Sequence, residues 1–178
     1  MPELGELFDE LVQEKRSNKL PPVEDWKPSR TGKIDIVIDS WGDWYHEGDP
    51  IKRQEIINLF STIMRKDEDG YCLVTPSEKL LIKVEDVPFV VVEMATRGEN
   101  TDRQLVFRTN VNEVVTANDS HRLWVTNAEK DPRPYLHIRS GLNALLSRPV
   151  YYQLMDLCIW DNDNCYIYSA DTRFDFLS

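Results

Sequence analysis

An α+β fold is what this sequence predicts, built twice from a strand–helix–strand unit with mostly antiparallel sheets. Three observations predict it. Short runs dense in Val and Ile recur between turns rich in Asp, Asn, Gly or Pro. Apolar stripes of helical period interrupt those runs at only a few places. The order strand, helix, acidic turn, strand occurs around residues 34–75 and again around residues 134–168. With 178 residues, the chain is long enough for two small units and for a core that needs no disulfide or metal. Residues 1–21 read as an N-terminal helix and linker, 22–95 as one α+β half and 96–178 as the other.

The elements follow in order. Leu4, Leu7, Phe8, Leu11 and Val12 make one apolar stripe, so a helix is expected over residues 3–16. Acidic residues open it and Lys15-Arg16 close it, as the helix dipole prefers. Pro21-Pro22 and Trp26-Lys27-Pro28 form an extended linker. Lys33 to Ile38 alternates polar and apolar, as a half-buried strand does. Trp41-Gly42-Asp43 is the turn and Trp44-Tyr45-His46 the return strand. Asp49-Pro50 reads as a helix start, with Ile56, Ile57, Leu59, Phe60, Ile63 and Met64 on the buried face. Strands are expected at 71–75, 80–84, 87–94, 105–109, 113–116 and 123–126. The polar stretch 97–102 reads as a mobile loop. In the last third, 134–139 is a strand, 141–147 a short helix, and Pro149 opens a second helix to about Cys158. Asp161 to Asn164 is a turn and Cys165 to Tyr168 a strand.

Charge excludes several function classes. Lys and Arg number 21 against 31 Asp and Glu, a net charge of −10, which disfavours nucleic acid and anionic membrane surfaces as partners. The start of the chain has no basic, apolar leader pattern, and no apolar run approaches membrane-spanning length. A cytoplasmic protein is the expectation. Cys72, Cys158 and Cys165 are odd in number and lack a C-x-x-C, so three reduced, mostly buried thiols are expected.

Catalytic and metal patterns are missing. His46, His121 and His137 have no ligand-like spacing. Asp161-Asn162-Asp163-Asn164 opens like a calcium loop, but Tyr166 stands where that loop needs Gly and Thr172 where it needs Glu. No phosphate-binding glycine motif or nucleophile elbow is present. No cofactor is expected. The informative residues are cations within ordered segments: Arg53, Lys79, Arg108 and Arg139. His137 and Arg139 lie two apart, on one strand face. In an acidic chain, inward-facing cations make a local anion site. The competing reading is that each pairs with a nearby Asp or Glu.

These residues carry a resemblance. Gly32-Lys33-Ile34-Asp35-Ile36, Trp44 to Ile51 and Leu73 to Lys79 are similar to the N-terminal signatures of a bacterial family known as domain of unknown function 1285. Val84 to Val90, Phe107 to Asn110, Pro134 to Leu142 and Arg148 to Tyr152 continue the pattern over residues 22–168. The tail, Asp171 to Ser178, departs from the family's aromatic-then-Pro ending. The resemblance implies a duplicated α+β unit whose C-terminal half resembles a pleckstrin-homology barrel. It implies binding of a small or nucleotide-like ligand where the halves meet, in signal transduction, and it carries over no catalytic residue.

The expectation is therefore a non-catalytic protein that binds a small anionic or nucleotide-like molecule. Arg53, Thr75, Lys79, Asn110, His137 and Arg139 are the candidate wall residues, with Trp44 or Tyr71 as an aromatic surface. The cations would hold the anion, Thr75 and Asn110 would orient it, and a ring would stack on a base. An interaction module with a protein partner is one alternative. An enzyme acting on a nucleotide-related molecule is the other.

Overall fold

The computed structural model describes residues 19–177, with the backbone alone for Leu177. The helix expected over residues 3–16 lies outside the described residues. The chain divides into two compact units between Asp86 and Val87. That is earlier than the boundary read at 95/96, because the apolar run after Val87 is a strand of the second unit.

The first unit is built on one six-stranded sheet in the order β3-β2-β1-β6-β5-β4. Strand β1 (Arg30–Ile38) buries Ile34, Ile36 and Ile38 and turns Lys33 and Asp35 to solvent, the two-residue period of a half-buried strand. The Asp39 carboxylate accepts the N–H groups of Trp41 and Asp43, both at 2.9 Å, and closes the turn to β2 (Trp44–His46). Asp49-Pro50 was expected to open a helix and instead forms the edge strand β3 (Asp49–Pro50). An edge is where a residue without an N–H fits a sheet. Helix α1 (Gln54–Thr62) starts later and buries Leu59 and Phe60. It also ends earlier than its apolar stripe. Met64 belongs to β4 (Met64–Asp67), which turns through Glu68 and Asp69 into β5 (Gly70–Val74). Pairing with β5 overrides the helical period there. Strand β6 (Glu78–Val84) returns antiparallel to β5 and lies parallel to β1.

In the second unit the order is β10-β11-β12-β7-β8-β9, followed by a three-stranded sheet β13-β14-β15. Strands β7 (Phe89–Arg97), β8 (Gln104–Thr109) and β9 (Val114–Thr116) form one antiparallel meander. Strands β10 (Leu123–Thr126), β11 (Arg133–Arg139) and β12 (Leu142–Leu146) form another. The helix expected at 141–147 is therefore strand β12. Leu142, Ala144 and Leu146 are buried in alternation, so a two-residue period was hidden among residues that favour helices. Helix α2 (Arg148–Asp156) carries Pro149 in its first turn, as expected, and packs on β7 through Val150 and Leu154. Strands β13 (Ile159–Asp161), β14 (Asn164–Ser169) and β15 (Thr172–Leu177) complete the chain. The tail is thus a paired strand with Phe174 and Phe176 buried.

The duplication is visible in connectivity. Each unit contains three strands, a helix and three more strands: β1-β2-β3-α1-β4-β5-β6 and β10-β11-β12-α2-β13-β14-β15. In the first copy the meanders join through the parallel β1–β6 ladder, with Gly32 opposite Leu80 and Val37 opposite Lys83. In the second, β10 and β15 lie side by side, but no ladder joins them among the described residues. The seam that is zipped in the first copy is open in the second.

Candidate functional site

Of the residues singled out from sequence, five lie in the first unit. Trp44 is only 2% exposed, so its indole is core and offers no stacking surface. Its buried Nε1–H has no hydrogen-bond partner among the described residues. Thr75 is buried and staples the turn between β5 and β6, where its hydroxyl accepts the Glu78 N–H at 3.1 Å. Lys79 sits between two carboxylates, with Asp67 and Asp69 each at 2.7 Å from Nζ. Arg65 completes this network. It grips Asp67 and donates to the Val23 and Trp26 carbonyls at 2.7 and 2.9 Å. Hydrogen bonds from Arg65 and Lys79 hold the Asp67 carboxyl down at about 2. Tyr71 is half-buried under the Lys66 ammonium, 5.2 Å from the ring centroid, and burial raises its phenol. Arg53 is exposed at the residue preceding α1 and gives its carbonyl to Ile56 and Ile57. Lys79 thus serves the fold, as do Trp44 and Thr75.

Three lie in the second unit. Asn110 ties the end of β8 to β7, its side-chain carbonyl accepting the Val90 N–H at 3.0 Å. Arg139 pairs with Glu113 at 2.9 Å and lies over the Phe89 ring. His137 stands apart from these two. Its Nδ1 lies 2.9 Å from the Ser120 carbonyl and its Nε2 3.3 Å from the Gly141 N–H. With its proton on Nδ1, the ring donates to the first and accepts from the second. It also lines a cavity.

That cavity occupies about 580 Å³ at the open seam between β10 and β15. Ligand pockets commonly run from about 300 to 1,000 Å³. Its walls come from four strands and one turn. The turn before β10 brings Asp119, Ser120 and Arg122. Strand β10 brings Leu123 and Trp124, β11 brings His137, β12 brings Asn143, and β15 brings Arg173, Phe174 and Asp175. Sheet geometry places these groups. The His137 N–H donates to the Arg122 carbonyl at 2.9 Å, so Arg122, at the entry to β10, stands in one row with His137 on β11 and Asn143 on β12. The next row holds Trp124, opposite Tyr135. Their rings stack with centroids 5.6 Å apart.

Electrostatics distinguish two guanidinium groups in the groove. Arg173 is engaged: its Nη2 lies 2.8 Å from Asp175, and its guanidinium carbon lies 3.8 Å over the Tyr166 ring. Arg122 is exposed and makes no ion pair among the described residues. The sequence analysis did not single it out: it stands just before the strand expected at 123–126. One signal was available: Arg122 precedes Trp124 by two residues at the entry to the strand expected at 123–126, the spacing that drew attention to His137 and Arg139. No group of His, Cys, Asp and Glu among the described residues is arranged to hold a metal. All three cysteines are free, and burial pushes the Cys72 thiol up to about 11 and raises Cys158 and Cys165. No described helix is long and apolar enough to cross a membrane.

The two units correspond to two family domains. Residues 21–87 match the N-terminal domain, and residues 88–176 the C-terminal domain, of the DUF1285 family of unknown function. The chain belongs to the DUF1285 family. A DUF1285 protein from Silicibacter pomeroyi DSS-3 is 33% identical, with 99% of this chain and 94% of that one covered at a TM-score of 0.87. A DUF1285 protein from Shewanella baltica OS155 is 27% identical, with 68% of this chain and 90% of that one covered at a TM-score of 0.52. Among curated proteins none matches.

Proposed function

We propose that this DUF1285 protein binds a small anionic molecule without transforming it, and that the molecule sits in the seam groove of the second unit. One observation carries the reading. Among the described residues, Arg122 presents an unpaired guanidinium at a groove of ligand size, where the duplicated fold leaves two strand edges without a ladder. A guanidinium offers five donors in a planar fork that matches a carboxylate or phosphate. The open edges add backbone donors and acceptors that a ligand can meet. The remaining polar groups orient rather than react. His137 is bonded at both ring nitrogens and Asp175 is held by Arg173. Neither stands as a base beside a nucleophile. We read the second unit as a scaffold of pleckstrin-homology type, in which the strand walls present the ligand site.

The test is a thermal-shift screen of the full chain against small acids and phosphates. A hit should raise the melting temperature, and Arg122→Ala should weaken its binding by about 1.5–3 kcal/mol, the worth of a hydrogen bond to a charged group. Because Arg122 is exposed and unpaired, the variant should melt at the wild-type temperature without ligand. Hits that bind the variant equally well would remove the groove from the reading.

A second reading, as an interaction module, rests on a separate observation. Tyr152, Ile159, Trp160 and Tyr168 are 59, 46, 58 and 40% exposed within one C-terminal run. Aromatic side chains of this kind are enriched at protein interfaces. On this reading Trp160→Ala abolishes association with a partner and leaves small-molecule binding intact.

A further inference from the structure

The seam groove orders its chemistry in two adjacent rows. Arg122, just before β10, forms a polar row with His137 on β11 and Asn143 on β12, and Trp124 with Tyr135 forms an aromatic row beside it. Neighbouring rows on one sheet face are two residues apart, roughly 6.7 Å. One face of the Trp124 indole is covered by Tyr135, and the half-buried indole lines the groove with its remaining surface. Stacking against Tyr135 also fixes the orientation of the indole, which lowers the entropy cost of placing a second ring on it.

Charge limits the anion. The groove is lined by two arginines and two aspartates, Arg122, Arg173, Asp119 and Asp175, which cancel formally. Arg173 is already committed to Asp175. One cation therefore remains for the ligand, and Asp119 stands in the same groove to oppose further negative charge.

We infer that the ligand is a planar aromatic monocarboxylic acid, its carboxylate on Arg122 and its ring system stacked on Trp124. This rests on the small-anion reading above and names the class of molecule that fits it. A fused two-ring acid spans the separation between the polar and aromatic rows. A polyphosphate brings charge that the groove does not balance, and a saturated acid of the same size forfeits the stacking.

Calorimetric titration of the full chain with four probes tests the inference: naphthalene-2-carboxylate, decahydronaphthalene-2-carboxylate, naphthalene-2-carboxamide and inorganic phosphate. The aromatic acid should bind about tenfold more tightly than each of the others. Arg122→Ala should reduce it to the level of the amide. Trp124→Leu should reduce it to the level of the saturated acid, while Trp124→Phe retains most of the preference. Melting temperatures of the free variants verify that each is folded. Equal binding of the two acids, both dependent on Arg122, overturns the aromatic class and leaves the anion reading standing. The same holds if phosphate binds most tightly through Arg122. Absence of any Arg122-dependent binding overturns both.

Discussion

Asp67 shows how this acidic chain spends its cations. Its two carboxylate oxygens meet Arg65 at 2.7 and 2.9 Å and Lys79 at 2.7 Å, and these bonds lower its carboxyl to about 2. A carboxyl depressed in the folded state stabilises the fold above its unfolded value of about 3.9, and that contribution is lost as pH falls toward the folded value. The first unit should therefore lose stability between about pH 4 and pH 2 from this group. Asp67→Asn should cost about 1 kcal/mol at neutral pH, after allowance for solvent screening, and flatten that acid limb. Urea unfolding of both proteins from pH 7 to pH 2 measures it. An unchanged acid limb would show that Asp67 is not the group responsible. The same pairing explains why the cations chosen from sequence were of mixed value. A sequence shows that Lys79 and Arg139 sit in ordered strands. It does not show that Asp67 at the end of β4, Asp69 in the turn after it and Glu113 just before β9 come together with them to neutralise them. Arg122 was overlooked for the opposite reason. Its lack of a partner is a property of the folded sheet, and no local pattern announces it.

Among the elements, β1 and β8 were legible through their two-residue alternation, and β10 and β11 also stand close to where the sequence puts them. Two of the misreadings share one cause. At Met64 and at Leu142 to Leu146, residues with good helical propensity were drawn into strands by pairing with β5 and with β7 and β11. Strand β3 was missed because Asp-Pro is a stronger helix signal than an edge-strand signal. The open seam was not legible at all, since its evidence is the comparison between two copies of one connectivity. It has a measurable consequence. The Arg122–His137 backbone bond sets the alternation on β10, so the Leu123 and Val125 N–H groups point away from β11 toward β15. Native-state hydrogen exchange should find these two amides far less protected than the amides of the β1–β6 ladder. Equal protection would mean that the seam is closed by hydrogen bonds in solution.

At the scale of the molecule, duplication and charge work together. Each unit has its own buried core, around Ile36, Phe60 and Leu73 in one and Phe89, Phe107 and Leu136 in the other. The repeat of strand, helix, acidic turn and strand was readable from the sequence and holds in both units. In a chain of net charge −10, Arg65, Lys79, Arg108, Arg139 and Arg173 are ion-paired to carboxylates, whereas Arg122 lines a groove without an ion pair among the described residues. The most direct measurement of the central claim is an amide NMR titration of the full chain with naphthalene-2-carboxylate. Shift changes should concentrate at Arg122, Trp124, His137, Asn143 and Arg173 and vanish in Arg122→Ala. Changes centred instead on Arg53, Lys79 or Arg139, or none at saturating acid, would contradict the account.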